Sequence, residues 1–242
     1  MRINKIQKLS SLIPSSNNCK IIHAPSDIIQ KSKSLEKQQL WSFFCKIFRD
    51  MCGKELKKDE CTIANLKVLF LFFLRDKEFF KCKNLRQDIS VASFDKGILI
   101  IGGYGLGKTD FFKVFEELFK HYPSLKYKFF TSKELVHKYE ICQTPMDKKS
   151  FFKSVERNLM FIDDIGSERI GSNYGKIEVL DEVLSHRYDK KLVTYASCNY
   201  TNSEFCAKQT LIDIGKRYGG RLHDRLFEMF NIIEFEGVSY RR

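Results

Sequence analysis

The eight residues from Gly102 to Thr109 constrain the fold of this chain more than any other stretch. They read GGYGLGKT and have the spacing G-x-x-x-x-G-K-T of a nucleotide-binding P-loop. The apolar run Ile98–Ile101 precedes them and predicts a strand, and residues 110–119 follow and predict a helix. Because strand, loop and helix stand in this order, a P-loop is favoured over a chance glycine-rich turn. The stretch therefore predicts an α/β domain built around a phosphate site.

The residue types in this loop suit a nucleotide. Glycines let backbone N–H groups curl around a di- or triphosphate, and the following helix directs its positive end at the same phosphates. Lys108 would place a charge at the β- and γ-phosphates, and the Thr109 hydroxyl would be a ligand of Mg²⁺. The predicted nucleotide-binding residues are Gly102, Gly103, Tyr104, Gly105, Leu106, Gly107, Lys108 and Thr109.

Size and charge limit the class of protein. A chain of 242 residues can hold one sizeable α/β domain and a smaller accessory region. Its 42 basic and 30 acidic residues leave a formal net charge of +12, which permits contact with nucleic acid or another polyanion. A solvated lysine-rich surface would give the same charge, so charge alone does not choose between the two.

The apolar runs and the cysteine spacing do not favour a membrane protein or a zinc-binding protein. The longest uninterrupted apolar run, Val68 to Leu74, is too short to span a bilayer, so we expect no membrane partner. The N-terminus carries no secretory signal, which predicts a cytoplasmic protein with reduced thiols. None of the eight cysteines forms a C-x-x-C pair. Free thiols are therefore favoured over a zinc site at Cys45, Cys52 and Cys61.

Composition divides the chain into three parts. Residues 1–33 are rich in Ser, Asn, Lys and Gln and predict a flexible polar arm. Residues 34–90 are rich in aromatic side chains at helical spacing and predict a small helical region that packs on the core or stands as a domain. Part of that region is a candidate partner-docking surface. Residues 91–242 contain the P-loop and predict the nucleotide-binding domain.

Two helices are predicted in the helical region. Apolar residues from Leu40 to Phe48 recur at helical spacing, and Gly53 marks the end of that helix. A second helix is predicted to begin with a cap near Thr62 and to continue towards Phe79 and Phe80.

The nucleotide-binding domain alternates strands and helices at intervals of roughly 30 residues, which predicts a parallel sheet wrapped by helices. The five predicted strands cover residues 98–101, 127–130, 159–162, 192–197 and 232–235. A capping box at residues 131–134 predicts one further helix, and apolar spacing predicts another around residues 176–188.

Polar residues at the ends of two later strands are candidates for the rest of the site. Asp163 and Asp164 follow the apolar third strand, the usual Walker-B arrangement. Asp163 would hold Mg²⁺ through water, and Asp164 would orient and polarise the attacking water. The amide of Asn199 follows the fourth strand and could reach the γ-phosphate if that strand lies between the first and the third.

Three arginines near the C-terminus are spaced four residues apart: Arg217, Arg221 and Arg225. This spacing predicts one helical face. That face is either a solvated basic surface or a source of positive charge for the nucleotide of a neighbouring subunit, an arginine finger.

Several further stretches occur in a characteristic order. They are the approach to the P-loop at 94–102, IDDIGSE at 162–168, SHRY at 185–188, SCNYT at 197–201, RLHDRL at 221–226 and EGVSYR at 236–241. In this combination residues 94–242 resemble the AAA+ ATPases of the DnaC/DnaI helicase-loader group and their relatives, the IstB-type transposition helpers. The first 90 residues carry no such resemblance.

The resemblance implies a five-stranded parallel sheet of order 5-1-4-3-2, with Asn199 as the sensor-1 residue. It implies Arg225 as the arginine finger, with Arg221 next in line, and hence a homo-oligomer bridged by ATP. It also implies a surface that contacts single-stranded DNA. The candidate residues for that surface are Lys133, Lys138, Lys148, Lys149 and Lys153. The sequence departs from larger AAA+ proteins in that only about 40 residues follow Asn199, so we expect no helical lid domain.

We therefore predict an Mg²⁺-dependent ATPase that acts in DNA replication, binds single-stranded DNA and contacts a replicative helicase. One alternative is an IstB-like helper that recruits a transposase. Another is a scaffold in which ATP locks an assembly without being hydrolysed. Residues 1–90 do not name the partner.

Overall fold

The structure, a computed structural model, describes residues 37–157, 159–173 and 175–241. The arm predicted at residues 1–33 lies outside the described residues. The helices are α1 Lys37–Cys52, α2 Glu60–Phe73, α3 Lys108–Leu118, α4 Ser132–Glu140, α5 Pro145–Val155, α6 Val179–Asp189, α7 Ala207–Tyr218 and α8 Gly220–Met229. The strands are β1 Gly97–Gly102, β2 Lys128–Thr131, β3 Leu159–Asp163, β4 Gly171–Ser172, β5 Lys176–Ile177, β6 Val193–Cys198 and β7 Phe230–Phe235.

Five parallel strands form one sheet in the order β2-β3-β6-β1-β7. When these five are numbered along the chain, the order is 2-3-4-1-5, which is the predicted order read from the other edge. The fourth strand therefore lies between the P-loop strand and the strand that ends in Asp163. In register, Ile101 of β1 faces Cys198, and Ile162 of β3 faces Ala196, so the carboxyl ends of three central strands meet at one edge.

Side chains of the sheet alternate between two apolar layers, as the twofold periodicity of a strand requires. Ile98 and Ile100 of β1 point into a cluster formed with α1, α2 and α3. Leu99 and Ile101 point into a second cluster with side chains from α4 to α8. Because both faces are covered, all six residues of β1 are buried. The predicted α/β fold is confirmed.

The first two helices share the apolar cluster of the P-loop helix. The ring of Phe115 on α3 lies 4.8 Å from that of Phe44 on α1, and 5.2 Å and 4.8 Å from those of Phe70 and Phe73 on α2, between ring centroids. Such aromatic pairs add to the free energy gained from burial alone. The helices thus extend the core over the P-loop helix, while the division of the chain near residue 90 stays a prediction.

Both ends of α2 differ from the sequence prediction. The cap of α2 is Asp59 instead of Thr62, because the Asp59 carboxylate accepts a hydrogen bond of 2.9 Å from the Thr62 N–H. That helix ends at Phe73, and the chain turns through Arg75, whose φ is 52°, before a short 3-10 helix at Lys77–Lys81.

The start of α6 also differs from the sequence prediction. The helix expected from residue 176 begins at Val179, because Lys176–Ile177 pair with Gly171–Ser172 in a short antiparallel hairpin. The hairpin lies after the Asp163–Asp164 strand and before α6, and its two strands carry no candidate site residue.

The C-terminal segment crosses both the P-loop and the first helices. Glu236 exchanges two backbone hydrogen bonds with the Asn65 amide of α2, at 2.8 Å and 3.3 Å. The Tyr240 hydroxyl lies 2.6 Å from the Thr62 hydroxyl, and the Tyr240 N–H donates to the Gly105 carbonyl at 2.9 Å. This segment therefore links α2 to the loop between β1 and α3.

Candidate nucleotide-binding site

The P-loop runs from the end of β1 into the start of α3. Gly105 and Gly107 have φ values of 79° and 82°, a left-handed conformation that glycine adopts without steric cost. A Cβ at Gly105 would lie 2.1 Å from the Ser239 hydroxyl, and one at Gly107 would lie 2.8 Å from the Phe111 ring. Backbone conformation and packing thus both require glycine at these two positions.

Lys108 is the buried cation of the loop. Its ammonium group donates three hydrogen bonds of 2.8 Å, to the carbonyls of Gly102 and Gly103 and to the Asn199 side-chain oxygen. Burial lowers the pKa of Lys108 from its usual value. The bonds to Gly102, Gly103 and Asn199 hold the charge within the curl of the loop, at the N-terminal end of α3.

Asp163 lies beside the first turn of α3. One carboxylate oxygen accepts a hydrogen bond of 2.8 Å from the Thr109 hydroxyl, and the other accepts one of 2.5 Å from the Ser197 hydroxyl. Burial raises the pKa of Asp163, while the two hydroxyl donors oppose that shift. The structure thus brings together the two residues predicted to hold Mg²⁺.

The oxygen donors of Thr109 and Asp163 suit Mg²⁺, which prefers hard oxygen ligands. Within the described residues, no cluster of three or more His, Cys, Asp or Glu side chains is arranged to hold a metal ion alone. A magnesium ion at this place would therefore complete its coordination with water and phosphate oxygens, as magnesium usually does at nucleotide sites. The residues present fit the predicted ion.

Asp164 adopts an unusual backbone conformation at the end of β3. Its φ is 62°, which for a residue other than glycine costs on the order of 1 kcal/mol. Its carboxylate accepts a hydrogen bond from the Asn199 amide, and its own N–H donates to the Ser197 hydroxyl at 3.0 Å. Asn199 therefore joins Lys108 to Asp164, which places three predicted site residues in one hydrogen-bonded chain.

A cavity of about 370 Å³ opens over the P-loop, lined by Lys108, Asp164 and Asn199 among others. Three of its lining residues are far from the loop in sequence and were not predicted: Lys54, Tyr240 and Arg241. Lys54 follows α1, and its ammonium group lies 5.6 Å from the centroid of the Tyr240 ring. Lys54 and the C-terminal Arg241 thus add positive charge to a cavity that suits an anion.

The three arginines do not share one helical face, which corrects the sequence prediction. Gly219 has a φ of 99° and ends α7, so Arg217 lies on α7 whereas Arg221 and Arg225 lie on α8. Arg217 donates to the carbonyls of Gly166 and Glu168, at 2.7 Å each, and forms ion pairs with the carboxylates of Glu168 and Glu178. These contacts give Arg217 a structural role.

Arg221 and Arg225 line a second groove, of about 800 Å³, together with side chains from α5 and α6. Arg221 is exposed. Arg225 is largely buried: its guanidinium lies 4.5 Å from the centroid of the Tyr188 ring and bonds Asp189 at 3.0 Å. The groove and the cavity over the P-loop have no lining residue in common.

The five candidate DNA-contacting lysines fall into two groups. Lys149 and Lys153 of α5 line the groove with Arg221 and Arg225. Of the other three, Lys133 is exposed on α4, Lys138 of α4 lies over the Phe130 ring, and Lys148 of α5 lies over the Tyr139 ring. Lys138 also pairs with Glu134 at 3.4 Å.

The sheet order, the P-loop and the acidic residues at the end of β3 define an α/β domain with the fold of a P-loop NTPase. The fold is similar to that of the DnaC helicase loader, with a TM-score of 0.52 and 19% sequence identity over 75% of this chain and 93% of that chain. It is also similar to DnaI, with a TM-score of 0.47 and 20% identity over 79% and 93%. No family model and no curated protein sequence matches the chain.

The fold assignment depends on the sheet topology and on the DnaC likeness, since identities this low carry no argument about activity. In the part of the chain that the structure describes, no helix has both the length and the apolar character needed to cross a bilayer.

Proposed function

We propose that this protein binds and hydrolyses ATP with Mg²⁺, and that its nucleotide state controls contact with single-stranded DNA and a replicative helicase. The observation that carries the proposal is the hydrogen-bonded chain from Lys108 through Asn199 to Asp164, beside the Thr109–Asp163 pair. It joins a phosphate-binding cation, a polar sensor and a carboxylate suited to orienting water at the mouth of one cavity.

Each residue has a task in this proposal. Lys108 exchanges its bonds to the loop carbonyls for bonds to phosphate oxygens, and Asn199 is thereby freed to contact the phosphate or the attacking water. Asp164 orients that water and accepts its proton. Mg²⁺, held by Thr109 and through water by Asp163, would neutralise phosphate charge.

The position of the α8 arginines supports action between subunits. Arg221 and Arg225 line a groove with no residue in common with the P-loop cavity, so in one subunit they stand apart from its own nucleotide. We propose that Arg225, or Arg221 one turn before it, reaches the nucleotide of the next subunit. Such a contact would be heterologous and would build a ring or a helical filament.

Replacement of Asp164 by asparagine should lower ATP turnover roughly 100-fold and leave ATP affinity within about twofold, because one positioned base contributes 10²–10⁴-fold. Asparagine tolerates a positive φ, so the strained backbone at this position is kept and only the carboxylate is lost. Steady-state turnover and equilibrium binding of a fluorescent ATP analogue measure the two quantities. A slow wild-type turnover that Asp164→Asn leaves unchanged would favour the scaffold alternative, in which ATP only locks an assembly.

DNA and helicase binding are tested on the full chain. We expect ATP-dependent association with single-stranded DNA that weakens as salt is raised, because phosphate contacts release counterions. Lys133→Ala with Lys138→Ala should weaken it, while Lys120→Ala, at an exposed lysine paired with Glu117, should not. Binding of a replicative helicase supports the loader proposal, and binding of a transposase alone supports the transposition helper.

A further inference from the structure

Ser197 lies next to the residues of the proposed ATPase site and has no role in it so far. It is the fifth residue of β6, is fully buried, and faces Ile100 of the P-loop strand in register. Its side chain points towards the end of β3, where Asp163 and Asp164 lie. A buried hydroxyl needs hydrogen-bond partners, and the partners here are both acidic residues.

The Ser197 hydroxyl forms hydrogen bonds with two successive residues, one as donor and one as acceptor. It donates to Asp163 Oδ1 at 2.5 Å and accepts the N–H of Asp164 at 3.0 Å. The Ser197 carbonyl accepts the N–H of Ile165 at 2.8 Å. One residue of β6 thus fixes three consecutive residues at the end of β3.

These bonds act on the orientation of both carboxylates. The bond to Asp163 Oδ1 complements the Thr109 bond to Asp163 Oδ2, so the rotation of that carboxylate is fixed from both sides. The bond from the Asp164 N–H helps to hold that residue at a φ of 62°, the conformation from which its carboxylate reaches Asn199.

We propose that Ser197 is a positioning residue that couples magnesium binding at Asp163 to the orientation of Asp164. This inference rests on the proposed ATPase function. Without the hydroxyl, the Asp163 carboxylate keeps only Thr109 as a side-chain donor, and the Asp164 N–H loses its partner. Both acids remain present, so nucleotide binding through the P-loop backbone and Lys108 continues without the metal.

The test compares ATP affinity in Mg²⁺ with ATP affinity in EDTA, using a fluorescent ATP analogue. The ratio of the two affinities measures the coupling of metal to nucleotide and does not depend on turnover. Ser197→Ala should reduce that ratio roughly 10-fold, the loss typical of removing a group that orients a metal ligand, and leave the EDTA value unchanged. The kcat for ATP should fall with it. Ser197→Thr, which keeps the hydroxyl, should restore most of the ratio.

Thr194→Val is the matched control. Thr194 is a buried residue of the same strand, and its hydroxyl bonds Arg187 instead of the acidic residues. This variant should lose thermal stability and keep the wild-type affinity ratio. The inference about Ser197 is overturned, and the proposed ATPase function is not, by either of two results. One is an affinity ratio in Ser197→Ala equal to that of wild type, and the other is an equal change of the ratio in Thr194→Val. Wild-type protein that binds no ATP, or binds it equally in Mg²⁺ and EDTA, overturns the proposed metal-dependent function and this inference with it.

Discussion

Replacement of Lys108 by alanine is expected to weaken ATP binding roughly 100-fold and to abolish turnover. Removal of one partner from a buried charged hydrogen-bond set costs about 3 kcal/mol, which corresponds to that factor in affinity. Lys108 is the buried cation among the residues that line the P-loop cavity, and the carbonyls of Gly102 and Gly103 already hold it there. Calorimetric titration with ATP measures the loss.

Lys120→Ala is the control for loss of a lysine near the same helix, because Lys120 is exposed and pairs with Glu117. It should bind ATP as wild type does. ATP affinity equal to that of wild type in Lys108→Ala would contradict the proposal that the P-loop binds ATP. No other predicted residue would contact the phosphates through a buried charge.

Replacement of Arg225 by alanine is expected to lower turnover about 1,000-fold, the smaller end of the effect of an arginine finger, and to leave ATP affinity within about twofold. Affinity is kept because Arg225 lies outside the P-loop cavity of its own subunit. Turnover falls because the transition-state charge on the neighbouring subunit's nucleotide loses its cation. Turnover at saturating ATP and protein measures the first effect, and equilibrium binding of a fluorescent ATP analogue measures the second.

Arg221→Ala and Arg49→Ala are the comparisons for this prediction. Arg49 is an exposed arginine of α1 that pairs with Glu55, so its removal changes net charge without touching the groove. It should leave turnover unchanged. A large loss in Arg221→Ala together with wild-type turnover in Arg225→Ala would move the finger one helical turn. Such a shift is physically reasonable, since Arg221 is exposed whereas Arg225 is paired with Asp189.

The fold was predictable because its signals are local. The strand before the P-loop, the glycines and the helix after it lie within about 20 consecutive residues, and each strand is a short apolar run. The sheet order came from the resemblance to helicase loaders, and the parallel pairing confirms it. Asp163, Asp164 and Asn199 were predictable because parallel strands place their carboxyl ends at one edge.

The rest of the site depends on contacts between residues far apart in sequence. Ser197 and Asp163 are separated by 34 positions, and no spacing rule indicates that a strand hydroxyl meets that carboxylate. Arg241 and Lys54 line the cavity from opposite ends of the described chain. Their approach is set by the packing of α1, α2 and the C-terminal segment, which sequence periodicity does not describe.

A break in the helix between Arg217 and Arg221 was predictable from the sequence. The pair Gly219–Gly220 lies between Arg217 and Arg221, and a glycine pair after a basic last turn is a typical helix end. The spacing by four residues predicts one helix only if the helix continues through this pair. The structure places the break at Gly219, and Arg217 binds the Gly166 carbonyl in the loop after β3.

The central claim is that one subunit supplies the P-loop and the next supplies the arginine. Mixing Lys108→Ala protein with Arg225→Ala protein tests it most directly, because only an interface between the two variants combines an intact P-loop with an intact arginine. At equal amounts, random assembly gives about a quarter of interfaces of this kind, so ATP turnover should rise to roughly that fraction of the wild-type rate. A mixture whose rate stays at the weighted mean of the two inactive variants, at every ratio, would contradict the account.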